Sequence, residues 1–134
     1  MKKKKILIID DDLDFVEATK IVLETKYHIS FAYNGEGGRQ KLKEEKPDLI
    51  ILDIMMDGRN EGFNFSQEVR KNAEYSNIIV LMLTSMNRQT EYFPEFLPVD
   101  EFVEKPIDPQ DLLKKIEDLL NKKEGVKHGS LKNL

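Results

Sequence analysis

The segment Ile6-Leu7-Ile8-Ile9-Asp10-Asp11-Asp12 decides the fold, because four apolar residues run directly into three acidic ones. A short apolar run of this kind predicts a buried β-strand. In an open α/β sheet, ligands bind in the crevice outside the carboxyl ends of such strands. Three like charges repel each other there, so water, a cation or the positive end of the next helix must offset the cost. If a further strand-end carboxylate joins this group, a hard metal ion is favoured over simple helix capping.

Outside this segment, apolar strand patterns alternate with helical patterns along the whole chain. The helix at 35–46 contains two adjacent glycines, and the one at 87–97 is interrupted by prolines, so both have weak signals. Apolar strands joined by helical crossovers predict a parallel α/β sheet covered on both faces. With right-handed crossovers, a doubly wound, flavodoxin-like fold with strand order 2-1-3-4-5 is the natural arrangement. The predicted strands are 6–9, 28–33, 48–53, 78–84 and 101–103, and the predicted helices are 13–26, 35–46, 62–72, 87–97 and 109–120.

Composition and charge favour one cytoplasmic domain. The 134 residues include no cysteine, which excludes disulfides and thiol catalysis. No apolar stretch is long enough for a bilayer span or a signal peptide, so we expect no membrane partner. Four lysines against one glutamate make residues 121–134 basic, so the rest is more acidic than the net charge of -4 suggests. An acidic body argues against nucleic acid as a partner. We predict a domain at 1–121 and a flexible basic tail at 122–134.

Polar residues follow several of the predicted strands and should converge at one edge of the sheet. Asp10 and Asp11 follow the first strand, Asp53 ends the third, Thr84 ends the fourth, and Lys105-Pro106 follows the fifth. Carboxylate oxygens suit Mg²⁺, which keeps several waters and often bridges to a phosphate. With Mg²⁺ bound, a carboxylate can attack phosphorus as a nucleophile. The hydroxyl and the ammonium can then stabilise the phosphoryl oxygens.

Together, these four motifs resemble the response-regulator receiver domain of two-component signalling, the CheY-like family. The resemblance covers residues 4 to about 121, and it is specific because all four motifs occur in order at the family's spacings. Receivers of this family are themselves known examples of the 2-1-3-4-5 order, so the resemblance and the strand pattern are not independent. The resemblance implies a stand-alone phosphoacceptor switch. Such a protein is not an enzyme acting on a separate substrate, because it catalyses only its own phosphorylation and dephosphorylation.

The resemblance also implies a role for each acidic residue. Asp53 would accept a phosphoryl group from a histidine kinase and become an aspartyl-phosphate. Asp11 would bind Mg²⁺ directly and Asp10 through water, with Asp53 and the backbone carbonyl of Met55 as further ligands. Asp12 lies outside the matched pair, so we expect it to cap the following helix.

The remaining matched residues would carry catalysis and the switch. Thr84 and Lys105 would contact the phosphoryl group, and Pro106 would follow a cis peptide bond. Phe102 occupies the position of the family's switch aromatic. Movement of Thr84 toward the phosphoryl group would let Phe102 turn inward and bias a two-state surface.

Two segments depart from the family pattern. Asp57 replaces the usual proline, and the loop from 57 to 62 is one residue longer than usual. Pro94 and Pro98 predict a short or irregular fourth helix, so the face that partners usually read should be unusual. We also hypothesise that Met55 and Met86 hinder an attacking water and prolong the life of the phosphoryl group.

These features predict a monomer or weak dimer that acts through other proteins. The expected partners are a sensor histidine kinase or phosphotransfer protein and an unknown downstream effector protein. Two alternatives remain open. The first is a phosphohydrolase with Asp53 as nucleophile, although no second acid follows two residues later to act as general acid–base. The second is a pseudo-receiver that is not phosphorylated, although the complete set of site residues argues against it.

Overall fold

The computed structural model describes residues 3–54, 56, 61–85 and 99–132, with side chains up to 123. These residues form five strands and four helices. All five predicted strands are present within one residue of their predicted ends, whereas the predicted helix at 87–97 lies outside the described residues. The elements are β1 (Lys5–Ile9), α1 (Leu13–Leu23), β2 (His28–Ala32), α2 (Gly35–Glu45), β3 (Leu49–Asp53), α3 (Glu61–Lys71), β4 (Ile79–Thr84), β5 (Glu101–Glu104) and α4 (Pro109–Lys132).

The five strands form one parallel sheet in the order β2-β1-β3-β4-β5. The predicted fold class and strand order are therefore confirmed. The register pairs Ile9 of β1 with Leu52 of β3, and Asp53 with Leu83 of β4. Because all strands run the same way, the residues that follow β1, β3, β4 and β5 leave the sheet at one edge.

Both faces of the sheet are covered, which explains why its central strands are apolar throughout. Successive side chains point to opposite faces, so alternate residues of β1 enter different cores. Ile6 and Ile8 join the first core, formed with α1 and α4, whereas Leu7 and Ile9 join the second, formed with α2 and α3. All residues of β3 and β4 are buried. Such a sandwich fixes the strand ends rigidly.

Helices α1 and α2 begin at side chains that cap their first turns. Asp12 accepts a hydrogen bond from the backbone N–H of Phe15 at 3.1 Å, so it caps α1 as the sequence predicts. Asn34 caps α2 through the N–H of Gly37 at 2.7 Å. Within α2, a Cβ on Gly38 would lie 2.6 Å from the Ile9 side chain. This glycine therefore weakens the local helical signal but allows α2 to approach the sheet closely.

The last helix is longer than the sequence pattern indicates. Residues 122–132, predicted as a flexible tail, continue α4 in the structure. No proline follows Pro109, and lysine, glutamate and leucine are good helix formers, so the helix continues despite the unfavourable propensity of Gly125 and Gly129. The domain boundary at 121 stays a prediction. Within the described residues, none of the helices combines the length and apolarity that a bilayer span requires.

Candidate functional site

Three carboxylates meet at the carboxyl edge of the sheet. Asp10 and Asp11 follow β1 and Asp53 ends the neighbouring β3, and one carboxylate oxygen from each lies within 4.8 Å of the others. Asp10 is fully buried and Asp53 is 7% exposed, whereas Asp11 faces solvent. Hard, anionic oxygen ligands converging beside water are the donor set that Mg²⁺ prefers. These three residues therefore fit the metal ion that the sequence predicts.

The position of Asp10 is fixed by its backbone and by one of its own carboxylate oxygens. Its N–H donates to the carbonyl of Ala32 at 3.1 Å, which extends the pairing of β1 with β2 by one residue. Its Oδ1 accepts a hydrogen bond from the N–H of Asp12 at 2.9 Å. The second oxygen, Oδ2, is buried without an aligned hydrogen bond from any described residue. An opposite charge is therefore needed beside Oδ2.

Lys105 provides that charge. Its Nζ lies 2.7 Å from Asp10 Oδ2 and 3.6 Å from Asp53 Oδ2, and its side chain is only 15% exposed. The backbone N–H of Lys105 donates to the carbonyl of Thr84 at 2.7 Å, so the residue continues the pairing of β4 with β5. The Lys105-Pro106 peptide bond is cis, the geometry that the resemblance implies.

The carboxylates keep the Lys105 side chain charged despite its burial. Desolvation alone would lower the pKa of Lys105, because burial disfavours an ammonium ion. The close contact of its Nζ with Asp10 Oδ2 and the negative charges of Asp10, Asp53 and Asp12 outweigh this effect and raise the pKa of Lys105 above its usual value. One ammonium thus partly neutralises a group of three carboxylates, which leaves a net negative charge for a divalent cation.

Thr84 and Phe102 lie on the two strands next to this cluster. Thr84 ends β4, is fully buried, and directly follows Leu83, the partner of Asp53 in the register. Phe102 of β5 is paired in the register with Met82 of β4. It is half-buried and packs against the second core. Thr84 therefore lies at the predicted edge of the sheet, and Phe102 lies two residues farther back along the register, while their switching role stays a prediction.

The comparison of sequences decides the family. The sequence model described as "Response regulator receiver domain" matches residues 6–117. The chain belongs to this family. The resemblance predicted from the strand-end motifs is therefore confirmed, and this receiver is a signalling module of two-component systems rather than a classical enzyme.

Known proteins similar to this receiver include both short and long chains. Protein PilH of Pseudomonas aeruginosa is 31% identical over 118 residues, which cover 87% of this chain and 97% of PilH. The probable transcriptional regulator ycf27 of Cyanophora paradoxa is 32% identical over 130 residues, which cover 92% of this chain and 51% of ycf27. The receiver thus spans about half the length of relatives such as ycf27.

Solved structures share the fold. A response regulator receiver domain protein (CheY-like) from Methanospirillum hungatei superposes with a TM-score of 0.80 at 28% identity, covering 92% of this chain and 98% of that chain. The chemotaxis response regulator CheY4 of Vibrio cholerae superposes with a TM-score of 0.77 at 25% identity, covering 87% and 98%. These similarities confirm the receiver fold.

Several sequence-based predictions for this receiver concern residues beyond the described ranges. Met55, Asp57, Met86 and the two prolines at 94 and 98 all lie outside the described residues. The carbonyl ligand, the lengthened loop and the shielding of the phosphoryl group therefore stay predictions.

Two residues near the receiver pocket were missed as site residues by sequence reasoning. Gly62 lies in the first turn of α3 against the end of β3, and a Cβ there would lie 1.9 Å from the carbonyl oxygen of Asp53. Phe15 lies in the first turn of α1, and its ring centroid lies 4.7 Å from Lys105 Nζ. A glycine at a helix start is a weak signal for such contact, and nothing local to Phe15 indicates the pairing.

Proposed function

We propose that the chain is an Mg²⁺-dependent phosphoacceptor switch that receives a phosphoryl group on Asp53. The donor is a sensor histidine kinase or a phosphotransfer protein, and the signal passes to an effector protein. The observation that carries this proposal is the grouping of Asp10, Asp11 and Asp53 around the Lys105 ammonium. Three carboxylates with one ammonium are suited to hold a divalent cation and to accept an anionic group beside it.

The chain's own residues supply the nucleophile and most of the charge stabilisation. An Asp53 carboxylate oxygen forms a bond to phosphorus while the bond from phosphorus to the donor breaks, a nitrogen for phosphohistidine or the acetate oxygen for acetyl phosphate. The donor fragment keeps the electron pair of the broken bond. Asp10, Asp11 and Asp53 would hold Mg²⁺, which when bound neutralises charge on the carboxylates and the phosphoryl oxygens. Lys105 and Thr84 stabilise the same oxygens by charge and by hydrogen bonding.

The change of charge at Asp53 also supplies the switching force. Before transfer, the Lys105 ammonium is held mainly by Asp10, at 2.7 Å, and lies farther from Asp53, at 3.6 Å. A phosphoryl group on Asp53 adds anionic oxygens that attract both Lys105 and the hydroxyl of Thr84. Movement of Thr84 would free space beside β5, where half-buried Phe102 could turn inward. The surface around Phe102 is therefore the proposed output.

The test is a measurement of intact mass after incubation with acetyl phosphate and Mg²⁺. We expect the wild type to gain one phosphoryl group, and we expect no gain for Asp53→Ala or in excess EDTA. Asp48→Asn is a matched control at the opposite end of β3, where Asp48 accepts a hydrogen bond from the Lys5 N–H at 2.8 Å; it should gain the group normally. No gain in the wild type, or an undiminished gain in Asp53→Ala, would contradict the proposal. Catalytic turnover of a small phosphoester would favour the phosphohydrolase alternative instead.

A further inference from the structure

We propose that Phe15 is a positioning residue that holds the Lys105 ammonium against its ring at the mouth of the carboxylate cluster. This inference rests on the proposed function, because it concerns the same pocket. Phe15 lies in the first turn of α1 and is half-buried against the first core. Lys105 Nζ lies 4.7 Å from the centroid of its ring. A cation at this distance over an aromatic face is attracted by the ring quadrupole.

Four contacts join Phe15 and Lys105 to the acidic triplet in a closed loop. Asp10 Oδ1 accepts from the N–H of Asp12 at 2.9 Å, and Asp12 Oδ1 accepts from the N–H of Phe15 at 3.1 Å. The ring of Phe15 contacts Lys105 Nζ, and Nζ returns to Asp10 Oδ2 at 2.7 Å. The Asp10 carboxylate therefore holds the ammonium on one side, and the Phe15 ring holds it on another. Through Asp12, the same Asp10 carboxylate also helps to fix the backbone of Phe15.

An aromatic ring suits this position better than an aliphatic side chain or another acid. The Lys105 side chain is 15% exposed, so most of its hydration is lost and must be replaced by other attractions. A further carboxylate would attract the ammonium, but it would also compete with the phosphoryl group for it. The ring attracts the cation without net charge, so it stabilises the position of Nζ and leaves its N–H groups available. When a divalent cation shares Asp10 and Asp53, the attraction of the ring to Lys105 remains.

A second ring–cation contact in the chain provides a matched control. Lys20 Nζ lies 5.2 Å from the centroid of the Phe31 ring, between α1 and β2. Phe31, like Phe15, is half-buried against the first core. The Phe31→Leu variant therefore removes the same kind of side chain and contact without changing the carboxylate cluster. Phe15→Leu removes the quadrupole beside Lys105 and keeps an apolar side chain, and Phe15→Tyr restores the ring.

The first measurement is the NMR spectrum of the Lys105 side chain in the metal-free, unphosphorylated protein. The NMR resonances of protons that lie over an aromatic face are displaced upfield by its ring current. We expect this displacement in the wild type, in Phe15→Tyr and in Phe31→Leu, and we expect its loss in Phe15→Leu. The second measurement is the rate of phosphorylation by acetyl phosphate at saturating Mg²⁺. Phe15→Leu should be slower by about two- to tenfold, the range that one cation–π contact supports, and Phe15→Tyr should recover most of that loss.

A pair of Asp12 variants tests the loop independently of the ring. Asp12→Ser and Asp12→Ala remove the same negative charge, but only serine keeps an oxygen that caps the N–H of Phe15. We expect the displacement to persist in Asp12→Ser and to diminish in Asp12→Ala. If Phe15→Leu loses the native circular dichroism spectrum and is therefore unfolded, this pair still tests whether Phe15 positions Lys105.

The proposal is overturned if the Lys105 protons keep their displacement in folded Phe15→Leu, if that variant is phosphorylated at the wild-type rate, or if Phe31→Leu is equally slow. Equal behaviour of the two Asp12 variants would overturn the role of the cap. If the wild type accepts no phosphoryl group, the proposed function fails. The metal-free spectrum still decides whether Phe15 positions Lys105.

Discussion

Substituting Gly62 with alanine should displace Asp53, the proposed phosphoacceptor. Gly62 lies in the first turn of α3, where the helix packs on the end of β3, and its N–H donates to the carbonyl of Ile54 at 3.1 Å. A Cβ at this position would lie 1.9 Å from the carbonyl oxygen of Asp53 and 2.8 Å from both Asp53 C and Ile54 Cα. All three are backbone atoms, so no flexible side chain can move aside. Either α3 or the end of β3 must shift by about 1.5 Å to reach an ordinary contact distance.

The magnitude follows from two opposing effects. Overpacking of this kind costs about 1–3 kcal/mol, and the severity of the contact favours the upper part of that range. Alanine recovers up to about 1 kcal/mol of helix propensity relative to glycine. We therefore expect the free energy of unfolding to fall by about 1–2 kcal/mol. Because a displacement near 1 Å can cost about 10²-fold in a positioned reaction, phosphorylation of Asp53 should slow by tenfold or more.

Urea unfolding and phosphorylation by acetyl phosphate measure the two effects separately. Gly37→Ala is the matched control, because its Cβ would meet only Ala32 Cβ and Asn34 Oδ1, each at 3.3 Å. We expect that variant to be as stable as the wild type, or more stable by up to about 1 kcal/mol. It should also be phosphorylated normally. If Gly62→Ala matches Gly37→Ala in both measurements, the close packing of α3 on Asp53 does not constrain the site.

Three further predictions concern single contacts. Lys105→Met should raise the affinity for Mg²⁺ at least tenfold in a calorimetric titration, because a unit charge beside the metal site is worth several kcal/mol at an effective dielectric constant near 20. An unchanged affinity would contradict this prediction. Thr19→Val should raise the free energy of unfolding, measured with urea, by roughly 1 kcal/mol, because the buried Thr19 hydroxyl has no hydrogen-bond partner among the described residues. A lower free energy of unfolding would refute this interpretation. The bidentate Arg39–Glu68 pair is exposed, so a double-mutant cycle should give about 0.2–1 kcal/mol. The hydrogen bonds that Arg39 donates lower the pKa of Glu68. This coupling should therefore be present at pH values above 4.5, the ordinary pKa, and vanish as the pH falls through the lowered pKa. A coupling that does not change with pH would contradict this prediction.

The main outline of the site could be predicted because parallel strands place their ends together. Asp53, Thr84 and Lys105 are far apart in sequence, yet each ends or follows a strand with a clear apolar pattern. The geometry of a parallel sheet then brings them to one edge, so strand boundaries alone predict the cluster. No detail of helix packing is needed for that inference.

Contacts that depend on how helices pack on the sheet could not be predicted in this way. The helical pattern shows that Phe15 lies on the apolar side of α1, but it does not show that the ring reaches Lys105. Gly38 reads locally as a poor helix residue, whereas its burial beside Ile9 shows that α2 requires a small residue there. Gly62 likewise gives only a weak local signal for its contact with Asp53. In each case the decisive distance is between elements, and the sequence pattern describes only one element at a time.

The acidic triplet shows how three identical neighbours acquire different environments. Asp10 still belongs to the sheet, since its N–H pairs with Ala32, and its buried charge is offset by Lys105. Asp12 already belongs to α1, where its charge meets the N–H of Phe15 and the positive end of the helix. Asp11 lies between them and faces solvent, so water can screen its charge until a cation displaces that water. The repulsion expected from three adjacent aspartates is therefore distributed over a lysine, a helix end and the solvent. Of the three, only Asp11 combines membership of the carboxylate cluster with direct access to solvent, which favours it as the first point of contact for an entering Mg²⁺ ion.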